Sequence, residues 1–346
     1  MNKKSKIYVA GHRGLVGSAI LENLEKSGYS NLIYKTHKEL DLTNQIDVQK
    51  FFEEKKPEFV ILAAAKVGGI EANNTYRGDF IYQNLAIQNN VIHQSYLNGV
   101  KKLLFLGSTC IYPKNATQPM VEDSLLSDEL EYTNESYAIA KIAGLKMCES
   151  YNIQYGTNYI SAMPTNLYGI NDNFDLQTSH VLPALLRKIH LAKLLAEQKY
   201  DEVVKDLKLA SIQEAKDYLQ KFGVSENSVE IWGSGNPRRE FLYSEDLAKA
   251  CIFLIENIDF DDVKKGKKEV RNTHINIGTG VDVSIKELAF LIKDIVGFTG
   301  SLYFNDTKPD GTMIKLTDPS KINSLGWKYE TNLKEGIQKL YEWYKK

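Results

Sequence analysis

Long apolar runs are missing from this chain: no stretch approaches the roughly 18 to 20 residues that a helix needs to cross a bilayer. No apolar leader precedes the first structured stretch either, because Met-Asn-Lys-Lys-Ser-Lys passes straight into the strand-like Ile7-Tyr-Val-Ala10. Both absences predict a cytoplasmic protein with no membrane partner. Cysteine is scarce. Cys110, Cys148 and Cys251 are odd in number and widely spaced, which fits neither a disulfide framework nor a zinc site, so no metal is expected and any cysteine chemistry is that of a thiol. An excess of one charge is also lacking: 43 Lys and Arg against 44 Asp and Glu leave a net charge of -1, without long blocks of either sign. That removes the electrostatic footprint of a nucleic-acid or anionic-membrane binder. Internal repeats and low-complexity tracts are absent. What remains is 346 residues with 43% hydrophobic and 25% charged content, enough to bury a full core in one large domain or two closely joined ones.

The first half alternates short β-branched apolar runs with longer amphipathic stretches. IYVA is followed by Leu15 to Ser27, NLIYK by Ile46 to Lys55, EFVILAAA by a long run to Asn98, and then comes KLLFLGS. This is the pattern of βαβ units wound into a parallel sheet with helices on both faces. From about Asn158 the chain mixes strand signals (YISAMPTN, SVEIWG, HINIG) with helices over 180–195, 244–257, 284–296 and 332–345. The predicted fold is α/β, a Rossmann-type doubly wound parallel sheet with a smaller, mixed C-terminal substrate-binding lobe. Residues 1–165, with segments near 230–250 and 273–280, form the dinucleotide domain in this reading, and 166–346 form mainly the lobe. Two stretches stand apart. Residues 194–227 carry helical periodicity and heavy charge, reading as two helices or one interrupted helix inserted into the lobe, while 259–272, almost purely polar, reads as an exposed loop.

After the first strand, Gly11, Gly14 and Gly17 form a GxxGxxG turn that opens the next helix. Glycines there allow a tight turn and close approach of the backbone to a pyrophosphate, and the helix N-terminus supplies amide donors. NAD-selective turns place an acid at the end of the second strand. Here that strand ends in Lys35-Thr36-His37, and with Arg13 these cations suit a ribose 2′-phosphate, favouring NADP over NAD. Solvated strand-end cations are the other reading, and Glu39 and Asp41 leave the choice open.

The fourth strand ends in Leu106-Gly107-Ser108-Thr109-Cys110, and Tyr137 and Lys141 follow at a four-residue spacing that sets both on one helix face. An ammonium beside a phenol favours the phenolate, so Lys141 is expected to bring Tyr137 down toward a useful range for proton transfer alongside a hydride. Ser108, at the carboxyl end of a parallel strand, can hold a carbonyl oxygen.

The glycine turn, Ser108 and the Tyr137/Lys141 pair resemble the extended short-chain dehydrogenase/reductases. Within these, AGHRGLVGSAI, LAAAKVGGI, FIYQN, LLFLGSTCIYP, SYAIAKIAGLK, MPTNLYG, SHVLPALLRK, WGSGNPRREFL, HINIGTG and KPDGT resemble the GDP-L-fucose synthases over nearly the whole chain. The resemblance implies NADPH as cofactor, a GDP-linked 4-keto-6-deoxy sugar as substrate, epimerisation at C3 and C5, reduction at C4, and by analogy a homodimer. It implies Cys110 and His180 as the base and acid of epimerisation. Cofactor contacts are implied for Gly11, Arg13, Gly14, Leu15, Val16, Gly17, Lys35, His37, Asp41, Leu42, Ala63, Ala64, Ala65, Tyr137, Lys141, Pro164, Asn166, Leu167 and His180. Substrate contacts are implied for Ser108, Asn166, Val181, Leu185, Lys188, Trp232, Arg239 and Lys308. The residues alone admit plainer readings. Cys110 can be a small apolar filler, although two residues past Ser108 it can share that residue's strand face. His180 can be a helix-start residue, and Trp232 and Leu185 core residues. Lys188 stands where the family commonly has Arg, keeping charge but losing the bidentate fork.

The 194–227 stretch departs from the family pattern. It reads as a surface hairpin, as a reshaped pocket for a larger sugar such as a GDP-linked 4-keto-6-deoxyheptose reduced at C4, or as a docking arm. A non-catalytic NADP-binding scaffold is the rival of another class, against which the complete Ser/Tyr/Lys set argues.

Overall fold

The structure, a computed structural model, describes residues 1–308 and 310–346. The chain forms two compact units, one of Met1–Asn171, Glu240–Gly280 and Leu316–Thr331, the other of Asp172–Arg239, Val281–Lys315 and Asn332–Lys346.

The first unit is built on a six-stranded sheet in the order Leu32–Ile33, Ile7–Ala10, Phe59–Leu62, Lys102–Leu106, Tyr159–Pro164, Ile275–Ile277. Every pairing is parallel. The inner strands are buried throughout and, apart from Lys102 and Ser161, apolar, because both faces are covered. On one face the helices Leu15–Lys26 and Ser244–Asn257 bring Ile20, Leu24, Leu247, Cys251 and Ile255 against Val9, Ile61 and Leu104. On the other, Gln45–Lys55, Arg77–Leu97 and Glu135–Tyr155 bring Phe52, Val91, Ile92, Leu145 and Cys148 against Val60, Leu103 and Phe105. This is the doubly wound Rossmann-type α/β fold that the alternating pattern predicts. The carboxyl ends of its strands present Gly11, Ala63, Gly107 and Thr165, the edge where such sheets bind ligands.

The polar stretch 259–272 is not wholly a loop. Phe260–Lys264 is a short helix closed by a capping box, in which Asp259 and Asp262 each take the other's backbone N–H. Phe260 and Val263, three apart, are buried in the core. Composition read the segment as exposed, whereas a reciprocal cap and two anchoring side chains suffice to fold it.

Glu240, fully buried at 0% exposure, clamps two distant loops of this unit. Its Oε1 accepts the backbone N–H of Thr279 at 2.5 Å and of Gly280 at 2.8 Å, and its Oε2 accepts Thr317 N at 3.0 Å and Thr317 Oγ1 at 2.6 Å. A Cβ on Gly278 would lie 2.3 Å from that carboxylate, which is why glycine stands there. Glu240→Ala removes the carboxylate from the buried Thr317 amide and hydroxyl and from the part-buried Thr279 and Gly280 amides, and is expected to cost about 2 kcal/mol, read as a lower Tm by calorimetry.

In the second unit Ser301–Asn305 pairs in parallel with Ser228–Trp232, and Ile314 and Lys315 pair with Arg238 and Arg239. Helices Val181–Ala196, Ile285–Val296 and Leu333–Tyr344 accompany them. The inserted stretch folds as two helices, Tyr200–Leu207 and Ile212–Gln220, the second capped by Ser211. Val203, Ala215 and Leu219 are buried, and Asp206 accepts Arg187 Nε at 2.8 Å and Tyr344 Oη at 2.6 Å. These contacts make the hairpin an integral part of the unit.

Candidate active site

At the first strand end the chain turns through Gly11, whose φ of 88° is the left-handed region that glycine tolerates. A Cβ on Gly11 would lie 2.7 Å from Ala64 N, and one on Gly17 would lie 2.0 Å from Gly11 O. The turn is therefore packed backbone to backbone against Ala63 and Ala64, with Ala65 following half-buried. Gly14, the N-cap of the Leu15–Lys26 helix, offers no side chain, so the amides of Leu15, Val16 and Gly17 meet no capping oxygen from it. Open amides at a helix N-terminus beside a glycine cradle fit a dinucleotide pyrophosphate.

The second-strand cations are tied down. Lys35 Nζ lies 3.2 Å from Glu39 Oε1, and the exposed His37 ring lies 3.8 Å from Asp41 Oδ1. Glu39 is held well ionised, near 2, chiefly by the Thr36 backbone N–H and then its hydroxyl. Arg13 is exposed on the glycine turn, His12 packs against Tyr34, and Leu42 is buried with its carbonyl accepting Asn90 Nδ2 at 2.9 Å. A 2′-phosphate would thus meet Arg13 openly and Lys35 in exchange for Glu39.

At the fourth strand end Lys102–Leu106 gives way to Gly107, where a Cβ would strike Met163 Sδ at 2.3 Å. Ser108 is still extended, with φ -162° and ψ 152°, but Thr109–Ile111 then forms a single 3-10 turn. The expectation that Cys110 shares a strand face with Ser108 is corrected here, because the strand has ended; Ser108 Oγ instead accepts Cys110 N at 3.3 Å. The turn packs on the Glu135–Tyr155 helix and brings Cys110 Sγ 3.4 Å from Asn134 Nδ2 at the helix start, close enough to Tyr137 to oppose ionisation of the phenol.

Tyr137 and Lys141 share a face of the Glu135–Tyr155 helix, as their spacing requires. Their electrostatics run opposite to expectation. Lys141 is 3% exposed, its Nζ donates to Leu106 O at 2.8 Å, and it lies 5.7 Å from the Tyr137 ring centroid. Burial lowers Lys141 to about 7. Burial also pushes Tyr137 up, with Cys110 adding to it, so the phenol stays protonated at neutral pH. A protonated phenol is the form that a ketone reduction uses, since the oxygen of the reduced carbonyl must gain a proton. Phe80 meets the Tyr137 ring edge to face at 6.4 Å. Pro164 ends the fifth strand, Leu167 packs partly buried against the core, and Asn166 Nδ2 donates to Glu240 O at 2.8 Å.

In the second unit His180 is the N-cap of Val181–Ala196, exposed yet crowded enough that burial lowers its pKa. Val181 is half-buried. Leu185 is 4% exposed and packs in the core of this unit. Trp232 is 61% exposed, which excludes its core reading, and Lys308 Nζ sits 5.2 Å from its ring centroid. Lys188, expected on a phosphate, spends its ammonium on Phe222 O at 2.9 Å and Glu230 O at 3.4 Å. The carbonyl of Phe222 comes from the end of the inserted hairpin, which no spacing in the sequence connects to Lys188. Arg239 Nη1 donates to the carbonyls of Arg238 and Thr312 at 2.8 and 2.5 Å, and burial lowers its pKa.

Two residues escaped sequence reasoning. Asp172 is raised to about 7 by burial, its Oδ2 without a hydrogen-bond partner. Asn134 donates to Cys110 Sγ at 3.4 Å. Neither carries a motif. Among the described residues, no three His, Cys, Asp or Glu side chains are grouped as a metal site, and no helix is long and apolar enough to cross a membrane.

A doubly wound parallel sheet with a glycine turn after its first strand and Ser108, Tyr137 and Lys141 at its carboxyl edge defines a dinucleotide-dependent oxidoreductase. The sequence matches the NAD dependent epimerase/dehydratase family over residues 7–278, and the chain belongs to that family. It is similar to GDP-L-fucose synthase 1 of Arabidopsis thaliana, 52% identical over 345 residues that cover 100% of this chain and 94% of that protein. Among solved structures it is similar to a GDP-6-OMe-4-keto-L-xylo-heptose reductase from C. jejuni, with a TM-score of 0.96, 57% identity, and coverage of 100% of this chain and 99% of the other. It is also similar to MlghC, GDP-mannoheptose C4 reductase from Campylobacter jejuni with NADP bound, with a TM-score of 0.90, 56% identity and complete coverage of both chains.

Proposed function

We propose that this chain is an NADPH-dependent epimerase/reductase that converts GDP-4-keto-6-deoxy-mannose to GDP-L-fucose. The observation that carries the reading is the seating of Cys110 on the turn after the fourth strand, 3.4 Å from Asn134 at the start of the helix that bears Tyr137, with Ser108 between strand and turn. Full-length similarity to GDP-L-fucose synthase 1 supports it. Carbons next to a ketone are acidic because the electron pair left by a proton moves onto the carbonyl oxygen. Cys110 Sγ takes the proton at C3 or C5, and the hydroxyls of Ser108 and Tyr137 hold the enolate oxygen. Inversion is completed when a proton is returned to that carbon, and the resemblance to the GDP-L-fucose synthases assigns this acid role to His180. When bound, NADPH supplies the hydride for C4. Tyr137 gives its proton to the C4 oxygen, and the Lys141 ammonium offsets the charge left on the phenol.

The first unit is assigned to the dinucleotide and the second, through Trp232, Arg239 and Lys308, to the GDP-sugar. We also assign a cytoplasmic setting, consistent with three cysteines that form no disulfide. A homodimer fits the exposed Tyr82, Leu97, Ile139, Ile153 and Tyr155 on the helices Arg77–Leu97 and Glu135–Tyr155.

A second reading is favoured by the two heptose reductases: C4 reduction of a related GDP-4-keto-6-deoxy sugar, with little or no epimerisation. The Phe222 carbonyl on Lys188 shows the inserted hairpin reaching a residue assigned to substrate. Incubation with GDP-4-keto-6-deoxy-mannose in deuterated water, first without and then with NADPH, separates the two. Deuterium at C3 and C5 with GDP-L-fucose as product supports the first reading. NADPH oxidation without exchange moves the assignment to the second. In the first case Cys110→Ser is expected to cut exchange by about 10²-fold or more while C4 reduction persists.

A further inference from the structure

Asn134 stands at the start of the Glu135–Tyr155 helix, where an asparagine ordinarily turns its side-chain oxygen onto an open amide of the first turn. Here that oxygen makes no capping bond. It is buried without a hydrogen-bond partner, while Nδ2 donates to Cys110 Sγ at 3.4 Å. An amide that forgoes both the cap and an oxygen partner is held in place by what its nitrogen does. Asn134 is also three residues before Tyr137 on the same helix, so one rigid element carries the phenol and the donor to the sulfur.

We infer that Asn134 is a positioning residue for Cys110: its N–H directs the sulfur and stabilises the thiolate that removes the proton next to the ketone. A donor to sulfur favours the anion over the neutral thiol. In the step itself the thiolate becomes a thiol, the electron pair of the broken C–H bond passes to the carbonyl oxygen, and the amide keeps its own protons. The inference rests on the proposed function for the source of the proton, but the coupling of Asn134 to the sulfur can be read without any sugar.

The test is the pH profile of iodoacetamide alkylation of the full chain, with Cys110 identified by mass spectrometry; Cys148 and Cys251 are buried. Asn134→Ala is expected to move the midpoint up by about one pH unit, and Asn134→Asp further, because a carboxylate cannot donate and repels the thiolate. Asn134→Gln, which keeps the donor, recovers part of the shift. With GDP-4-keto-6-deoxy-mannose, Asn134→Ala lowers deuterium exchange at saturation by roughly tenfold and leaves KM unchanged. Native NADPH binding and melting behaviour show that a variant is folded, and Asn134→Asp carries the test where Asn134→Ala is not. A folded variant with an unmoved alkylation midpoint would overturn the inference. Moved midpoints in an enzyme whose unaltered form exchanges no deuterium would overturn the epimerase reading and leave the coupling standing.

Discussion

Tyr137→Phe is expected to lower NADPH-dependent ketone reduction by about 10³-fold with little change in KM, measured as steady-state NADPH oxidation. The substitution removes one oxygen, the only atom of the side chain that can give a proton to the C4 oxygen. Burial and the neighbouring Cys110 keep that oxygen protonated through the physiological range. The phenol therefore acts as an acid in the reducing direction, and oxidation of an alcohol would have to work against the same environment. Phe80 packs against the ring edge, so phenylalanine keeps the ring's contacts and the loss falls on chemistry. A variant that reduces at the parent's rate would remove Tyr137 from the proposed reaction.

Lys141→Met is expected to abolish reduction to a similar extent and, at neutral pH, to make the protein more stable. The ammonium is 3% exposed and has a single carbonyl, Leu106 O, to offset its burial. Its folded value of about 7 lies below the ordinary 10.5, so between these limits the unfolded chain binds more protons and parent stability rises with pH. Below about 7 both states hold the proton and the full cost of burying it remains. Methionine carries no such cost, so the variant leads by on the order of 3 kcal/mol at pH 7, and its lead closes toward pH 10.5. Thermal melts at pH 6, 7 and 9 check the sign. A variant less stable than its parent at pH 6 would mean that the Leu106 hydrogen bond outweighs desolvation. The expected pairing of lost rate with gained stability marks a lysine retained for function, because only a charge near the phenol offsets the anion left when Tyr137 releases its proton.

Much of this site is local and so is legible in one dimension. Gly11, Gly14 and Gly17 are spaced by the geometry of a single turn, and Tyr137 and Lys141 by one turn of helix. Ser108 is marked by the end of an apolar run, and the doubly wound sheet by the alternation of such runs with amphipathic stretches. These features belong to the backbone's own periodicities, which the chain carries wherever it folds.

The tertiary structure decided everything that depends on partners far apart in the chain. It placed Leu106 O on Lys141, Phe222 O on Lys188, the loops around residues 279 and 317 on Glu240, and Asn134 on Cys110. It put Leu185 in the core and Trp232 in solvent, and it folded Phe260–Lys264 through two buried side chains. It also reversed the expected titration of the Tyr137 and Lys141 pair, because burial, which a sequence does not display, outweighs the pairwise attraction that it does. Residue types and their short spacings name the chemistry available to a chain. Distance and desolvation, which depend on the whole fold, decide which proton each group holds.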